Sequence, residues 1–268
     1  MMRRTLGVVA VLALGLTDAA LAQTKDRLDR RDKLFGYESV GRLDSQRGQC
    51  TAVLIARDVA LTAAHCVLGK GNKFVFRMGY SDGAALATRQ SEDVVIAPAY
   101  MAATAQNDRG GQIGNDVALV RLNSPIYDAN TNPFAISGIP KIGTKLTLAS
   151  YGQGRDEALT LERGCTLQKR YRGGIVEIDC DTTFGSSGAP VFYQTSGRPK
   201  LFSIVTSGLD GENGQKVTYT VELTKIVPEL MQVLRNRRAL APATSGARRL
   251  TVGERSEGGH SLHPTGRR

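Results

Sequence analysis

The chain of 268 residues carries 35 Lys and Arg against 25 Asp and Glu, a net charge of +10, so nucleic-acid binding is the first class to weigh. Much of the excess is terminal: Arg235, Arg237, Arg238, Arg248, Arg249, Arg255, Arg267 and Arg268 stand against Glu254 and Glu257. The folded middle is therefore much less basic, which disfavours nucleic acid as a partner and predicts a solvated basic tail.

In chain order, Arg3 and Arg4 precede an apolar run from Leu6 to Leu16, followed by the small-x-small site Ala20-Leu21-Ala22. That layout predicts a secretory signal over residues 1–22, cleaved near Ala22, and the run is short for a membrane span. No later segment is apolar enough to insert stably, so a secreted or periplasmic product is expected. Residues 23–37 read as a charged leader or pro-segment, since Lys25 to Lys33 offers no apolar face worth burying. Short apolar runs then alternate with turn residues: Thr51–Ile55, Val59–Ala63, Lys73–Met78, Glu92–Ala97 and Val117–Leu122. A second series covers Lys145–Ser150, Gly164–Gln168, Gly174–Ile178, Ala189–Tyr193, Leu201–Thr206 and Lys216–Glu222. Many short strands without intervening amphipathic helices predict an all-β protein rather than a parallel α/β sheet. The proline-bearing stretch Asn123–Lys141 separates two β-domains, over residues 38–130 and 131–223. Ile226, Val227, Leu230, Val233 and Leu234 fall at helical spacing, with Pro228 tolerated in the first turn, predicting a helix over 224–238. Residues 239–268 have little to bury and read as disordered.

Four cysteines suit an oxidising compartment, although they allow three connectivities. Cys50 and Cys66 flank two strand-like runs and Cys165 and Cys180 flank a hairpin-like stretch, so those are the expected pairs. None sits at metal-ligand spacing with histidine, and no metal or organic cofactor is expected.

Three separated segments carry chemistry. Of the three histidines, His260 and His263 lie in the tail, which leaves His65 in Thr62-Ala63-Ala64-His65-Cys66 as the one base available to the folded part. The bland alternative is a structural histidine beside a disulfide, which the small residues Thr62-Ala63-Ala64 ahead of it disfavour. Asp116 precedes the strand-like run Val117–Leu122, either capping its own turn or accepting the second ring N–H of His65. Gly185-Ser186-Ser187-Gly188-Ala189-Pro190 frees backbone N–H groups in a tight bend; a plain Gly/Ser turn is the bland alternative. The glycine spacing favours Ser187 over Ser186 as nucleophile, with the Gly185 and Ser187 N–H groups as oxyanion donors. Together the segments predict nucleophilic acyl transfer.

These segments, with Cys50 ahead of His65-Cys66 and the two β-domains, resemble the chymotrypsin-like (trypsin-fold) serine peptidases. The likeness runs from about Glu38 to Arg238 and leans towards bacterial secreted members, including glutamyl-endopeptidase-like relatives. The resemblance implies two six-stranded antiparallel β-barrels with a C-terminal helix. It places His65 and Asp116 on the first barrel and Ser187 on the second, with the active site between them. It also implies a protein or peptide substrate and leaves the oligomeric state open. Animal members carry Asp immediately before the nucleophile, to receive a new N-terminal amine; Ser186 stands there, and no Ile-Val-Gly-Gly start lies upstream. Asp181, six residues before Ser187, occupies the tryptic pocket position, which favours Arg or Lys at P1. Thr182, Val205, Thr206 and Gly208 are expected beside it, with Val205 where glutamyl specialists place a histidine. The rival readings are an esterase using the same triad and a non-catalytic binding module on a peptidase fold.

Overall fold

The computed structural model describes residues 24–240, apart from 72, 129–130 and 212–213. The expected signal segment and most of the expected tail lie outside the described residues.

The first barrel contains β2 (Val40–Ser45), β3 (Gly48–Ala56), β4 (Val59–Thr62), β5 (Val75–Met78), β6 (Ala87–Ile96) and β7 (Ala118–Leu122). They join in the order β2-β3-β4-β7-β6-β5, and β2 closes on β5 with Gly41 opposite Met78. All pairs are antiparallel, so short turns suffice between consecutive strands. Val40, Leu43, Val53, Leu61, Phe76 and Leu119 are buried inside it.

The second barrel contains β8 (Lys145–Ser150), β9 (Thr160–Arg170), β10 (Ile175–Ile178), β11 (Pro190–Tyr193), β12 (Lys200–Asp210) and β13 (Lys216–Glu222). Its order is β9-β10-β13-β12-β11-β8, closed by antiparallel β8–β9 pairing. Leu146, Leu148, Leu167, Val176, Phe202 and Val205 fill it. Closure leaves no free edge around either barrel. Both expected disulfides form, Cys50–Cys66 and Cys165–Cys180.

Between the barrels, Phe134 of the connector packs on Phe192 at 4.7 Å, and Tyr37 meets Phe192 edge-on at 5.5 Å. Phe134 N–H donates to Leu54 O at 2.8 Å and Ser137 N–H to Leu201 O at 2.7 Å, so the connector is bonded to both barrels.

Two features depart from the sequence expectations. The charged stretch does have something to bury: Leu28 and Leu34 are 4% and 1% exposed. Its residues Thr24–Arg27 form β1, an added strand paired antiparallel to β9, which makes seven strands in that sheet. Two helices that the strand pattern hid lie between β6 and β7. Helix α1 (Pro98–Ala105) starts on a proline suited to the first turn, and α2 (Arg109–Asn115) is capped by Asp108, which accepts Gly111 N–H at 3.0 Å. The last helix, α3 (Ile226–Leu240), forms as its spacing predicts and packs on β6 and β7 of the first barrel. Val227, Leu230 and Leu234 are buried there, and Arg121 of β7 donates to the Leu234 carbonyl.

Candidate active site

Strand β4 ends at Thr62 and runs into one 3₁₀ turn, Ala64–Cys66, which carries His65. The Cys50–Cys66 disulfide ties the residue after His65 back to β3. Asp116 is the C-cap of α2 and stands two residues before β7, so the helical insertion delivers it. Both of its oxygens go to one residue. Oδ2 lies 2.6 Å from His65 Nδ1, and Oδ1 accepts the His65 backbone N–H at 3.0 Å. The Asp116 side chain is 5% exposed and that of His65 34%. A buried carboxylate is costly without partners, and these two bonds supply them. The contact at Nδ1 holds the proton on that nitrogen and leaves Nε2 as the basic one. Tyr100, close by, has its phenol pushed up by burial and then by the Asp116 charge, so it stays neutral at this site. The turn-capping alternative for Asp116 is not what the side chain does.

Gly185 and Gly188 adopt φ of +88° and +76°, where side chains are strained. Space also excludes one: a Cβ would sit 2.5 Å from Tyr151 O at Gly185 and 2.3 Å from Thr62 Oγ1 at Gly188. The bend separates the two serines. Ser186 is 0% exposed, whereas Ser187 is half-buried and faces the cleft. Ser186, Gly188 and Ala189 N–H groups donate to Thr183, Val205 and Ser186 carbonyls, while those of Gly185 and Ser187 meet no acceptor among the described residues. Thr51 of β3, unremarked in the sequence, fastens the bend to the first barrel. Its N–H donates to Ser187 O at 2.9 Å and its hydroxyl to Gly185 O at 2.9 Å, and the same hydroxyl accepts Tyr151 N–H at 3.0 Å. A cleft of about 510 Å³ contains His65, Ser187 and Gly185 together, with Arg47, Lys70 and Gln153 on its walls. A larger groove beside Phe35 and Arg198 touches none of these three.

The trypsin-like peptidase domain family matches residues 50–199, a span that holds Cys50, His65, Asp116 and Ser187. The chain belongs to the trypsin-like peptidases. It is 29% identical over 214 residues to the trypsin-like protease of Streptomyces glaucescens, covering 68% of this chain and 75% of that one. It is also 29% identical over 143 residues to brachyurin of Leptuca pugilator, over 51% and 58% of the two chains. Among solved structures, a Glu endopeptidase aligns with TM-score 0.64 at 17% identity, covering 79% of this chain and 96% of that chain. The protease Anisep from Arthrobacter nicotinovorans aligns with TM-score 0.57 at 18% identity, covering 73% and 94%. At those identities the structural likeness speaks for the fold. Membership of the family makes the chain a serine-type endopeptidase, acting on protein. Among the described residues no helix is long and apolar enough to cross a membrane.

The peptidase has a second cleft of about 460 Å³ that meets the first at Ser187, Gln153 and Phe184. Asp181, Thr182, Val205 and Gly208 line it, as the sequence suggested. Thr206 does not. It lies between Val205 and Ser207, which both face the wall, and its hydroxyl donates to the Tyr219 carbonyl at 3.1 Å on the other side of the strand. Asp210 and Lys216 complete the lining; neither carried a local sequence signal, because they reach the cleft only through the β12–β13 hairpin. Burial alone would raise the Asp181 carboxyl, but the Lys25 hydrogen bond and charge, with Lys216 behind them, hold it below its ordinary range. Glu162 next to it is pushed up by burial, only partly offset by the Asp181 N–H and Lys25.

Proposed function

We propose that the protein is an exported serine endopeptidase that cleaves peptide bonds with Ser187 as nucleophile, His65 as base and Asp116 as its orienting carboxylate. The double contact of Asp116 on His65, in a cleft that His65 shares with Ser187, carries this reading. Ser187 Oγ attacks the scissile carbonyl carbon and its proton passes to His65 Nε2. The carbonyl oxygen becomes an anion, which the Gly185 and Ser187 N–H groups receive; that these two meet no acceptor among the described residues supports the assignment. His65 then gives its proton to the departing amine as the C–N bond breaks. Water, deprotonated by the same nitrogen, hydrolyses the Ser187 ester and returns the hydroxyl. Asp116 remains ionised throughout and stabilises the imidazolium.

Export rests on the apolar run from Leu6 to Leu16, the Ala22 site and the two disulfides. Cleavage after Ala22 would leave Gln23 one residue ahead of β1, and intact mass of exported protein checks that terminus. The preference for Arg or Lys expected from Asp181 depends on how much of that charge a substrate feels. A fluorophosphonate probe tests the nucleophile. Wild-type protein should be labelled and Ser187→Ala should not; undiminished labelling of Ser187→Ala refutes the assignment.

A further inference from the structure

Asp181 faces the cleft with both carboxylate oxygens already taken. Oδ2 accepts from Lys25 Nζ of β1, and Oδ1 lies 3.5 Å from Lys216 Nζ of β13. Lys216 also binds Asp210 at 2.7 Å, and Lys25 Nζ lies 3.7 Å from Glu162 Oε2. Glu162 in turn accepts the Asp181 N–H at 2.8 Å. Two ammonium groups are thus shared among three carboxyls, and burial disfavours charge on one of these, Glu162. A cationic side chain entering the cleft would meet Lys216 on the wall and a carboxylate that already has an ammonium group at each oxygen.

The position of Lys25 is fixed by more than its own charge. The β1–β9 register sets it opposite Glu162. The two residues after it also bind, Asp26 to Arg163 at 3.2 Å and Arg27 to Asp82 at 2.6 Å. Just past the strand, Leu28 is buried and its N–H donates to Leu159 O at 2.7 Å. An incoming guanidinium would have to displace an ammonium held by a strand, not merely a mobile surface lysine.

We infer that Lys25 is a built-in counter-ion for the substrate pocket, which makes the added strand β1 a determinant of P1 specificity. With β1 in place, Asp181 does not select Arg or Lys, and uncharged P1 side chains are cleaved at least as well. Freeing Asp181 from Lys25 turns the pocket towards basic residues. This rests on Ser187 being the nucleophile beside that pocket.

The test uses the full exported chain, titrated with the fluorophosphonate probe, and two peptides that differ only in Arg or Leu at P1. In the wild type, kcat/KM for Leu should equal or exceed that for Arg. Lys25→Met, which keeps the aliphatic stem, should raise the Arg:Leu ratio about tenfold, as expected for one carboxylate released to a substrate cation. Adding Asp181→Asn should erase that gain. Should Lys25→Met fail to fold, Lys25→Gln serves the same comparison. An Arg:Leu ratio in the labelled variant within twofold of wild type overturns the inference, as does a gain that survives Asp181→Asn. A wild type that already prefers Arg by a hundredfold overturns it too. Absence of labelling in the wild type would instead remove the Ser187 assignment beneath it.

Discussion

In the proposed active site, the base side and the pocket side are built from different materials. His65 is fixed by two bonds to the buried Asp116 carboxylate and by a disulfide one residue away. Asp181 is fixed by lysines with side chains about one-third and two-fifths exposed, one of them on an added strand. Buried partners hold geometry against salt and thermal motion, whereas part-exposed ion pairs are individually weak and easily exchanged. On the proposed assignment, chemistry sits where the fold is least adjustable, and selectivity where single charges can retune it.

Three substitutions probe that contrast. Asp116→Asn should be the most damaging, lowering kcat by about 10⁴, because an amide cannot hold the proton on Nδ1. Single-turnover kinetics on folded protein would read it, and near-normal turnover would place the orienting group elsewhere. Thr51→Val removes the hydroxyl that binds Gly185 O and Tyr151 N–H while leaving the backbone bond to Ser187 O. We expect kcat to fall roughly tenfold to a hundredfold with KM little changed, and Thr51→Ser to restore it. An equal loss in Thr51→Ser would mean that packing of the methyl, not the hydroxyl, is what matters. On the pocket side the effect is small and pH-dependent. Burial raises the Glu162 carboxyl above its ordinary 4.5, so its ionised form lowers stability in neutral solution and the penalty fades as pH falls through that range. Glu162→Gln should accordingly raise Tm by about 2 °C at pH 7.5 and not at pH 3.5. A lower Tm at pH 7.5 would show that the Lys25 attraction outweighs burial.

What the sequence made legible follows the range of the forces involved. Apolar runs and turn residues exposed two β-domains, because strand burial writes a local pattern; that each closes into a six-stranded barrel was implied only by the family resemblance. Helix α3 announced itself through Val227, Leu230 and Leu234. The glycines around Ser187 pointed to a bend that tolerates no side chains, and Ser186 proves to be the one turned inward. Helices α1 and α2 were invisible since seven or eight residues rich in Ala and Gly carry no amphipathic period. Strand β1 was hidden by its charges, which pair with β9 and its surroundings across more than a hundred residues. Thr206 was misplaced because it alternates with Val205 and Ser207, which both line the cleft, and so points to the other face, where its hydroxyl donates to the Tyr219 carbonyl. Thr51 and Lys216 act through tertiary contacts alone, and nothing in their immediate sequence marks them.

The two ends of the described chain cross over. Strand β1, which precedes the first barrel in sequence, completes a sheet of the second; helix α3, which follows the second, covers the first. Cutting the chain in the connector would thus yield no pair of self-sufficient halves, since each piece would carry the other's missing part. Arg121 would lose its Leu234 acceptor and Glu162 its Lys25 neighbour. The barrels are interlocked in assembly as well as adjacent in space, so a ribosome must deliver the final helix before the earliest barrel is clothed, and melting of either barrel strips the other.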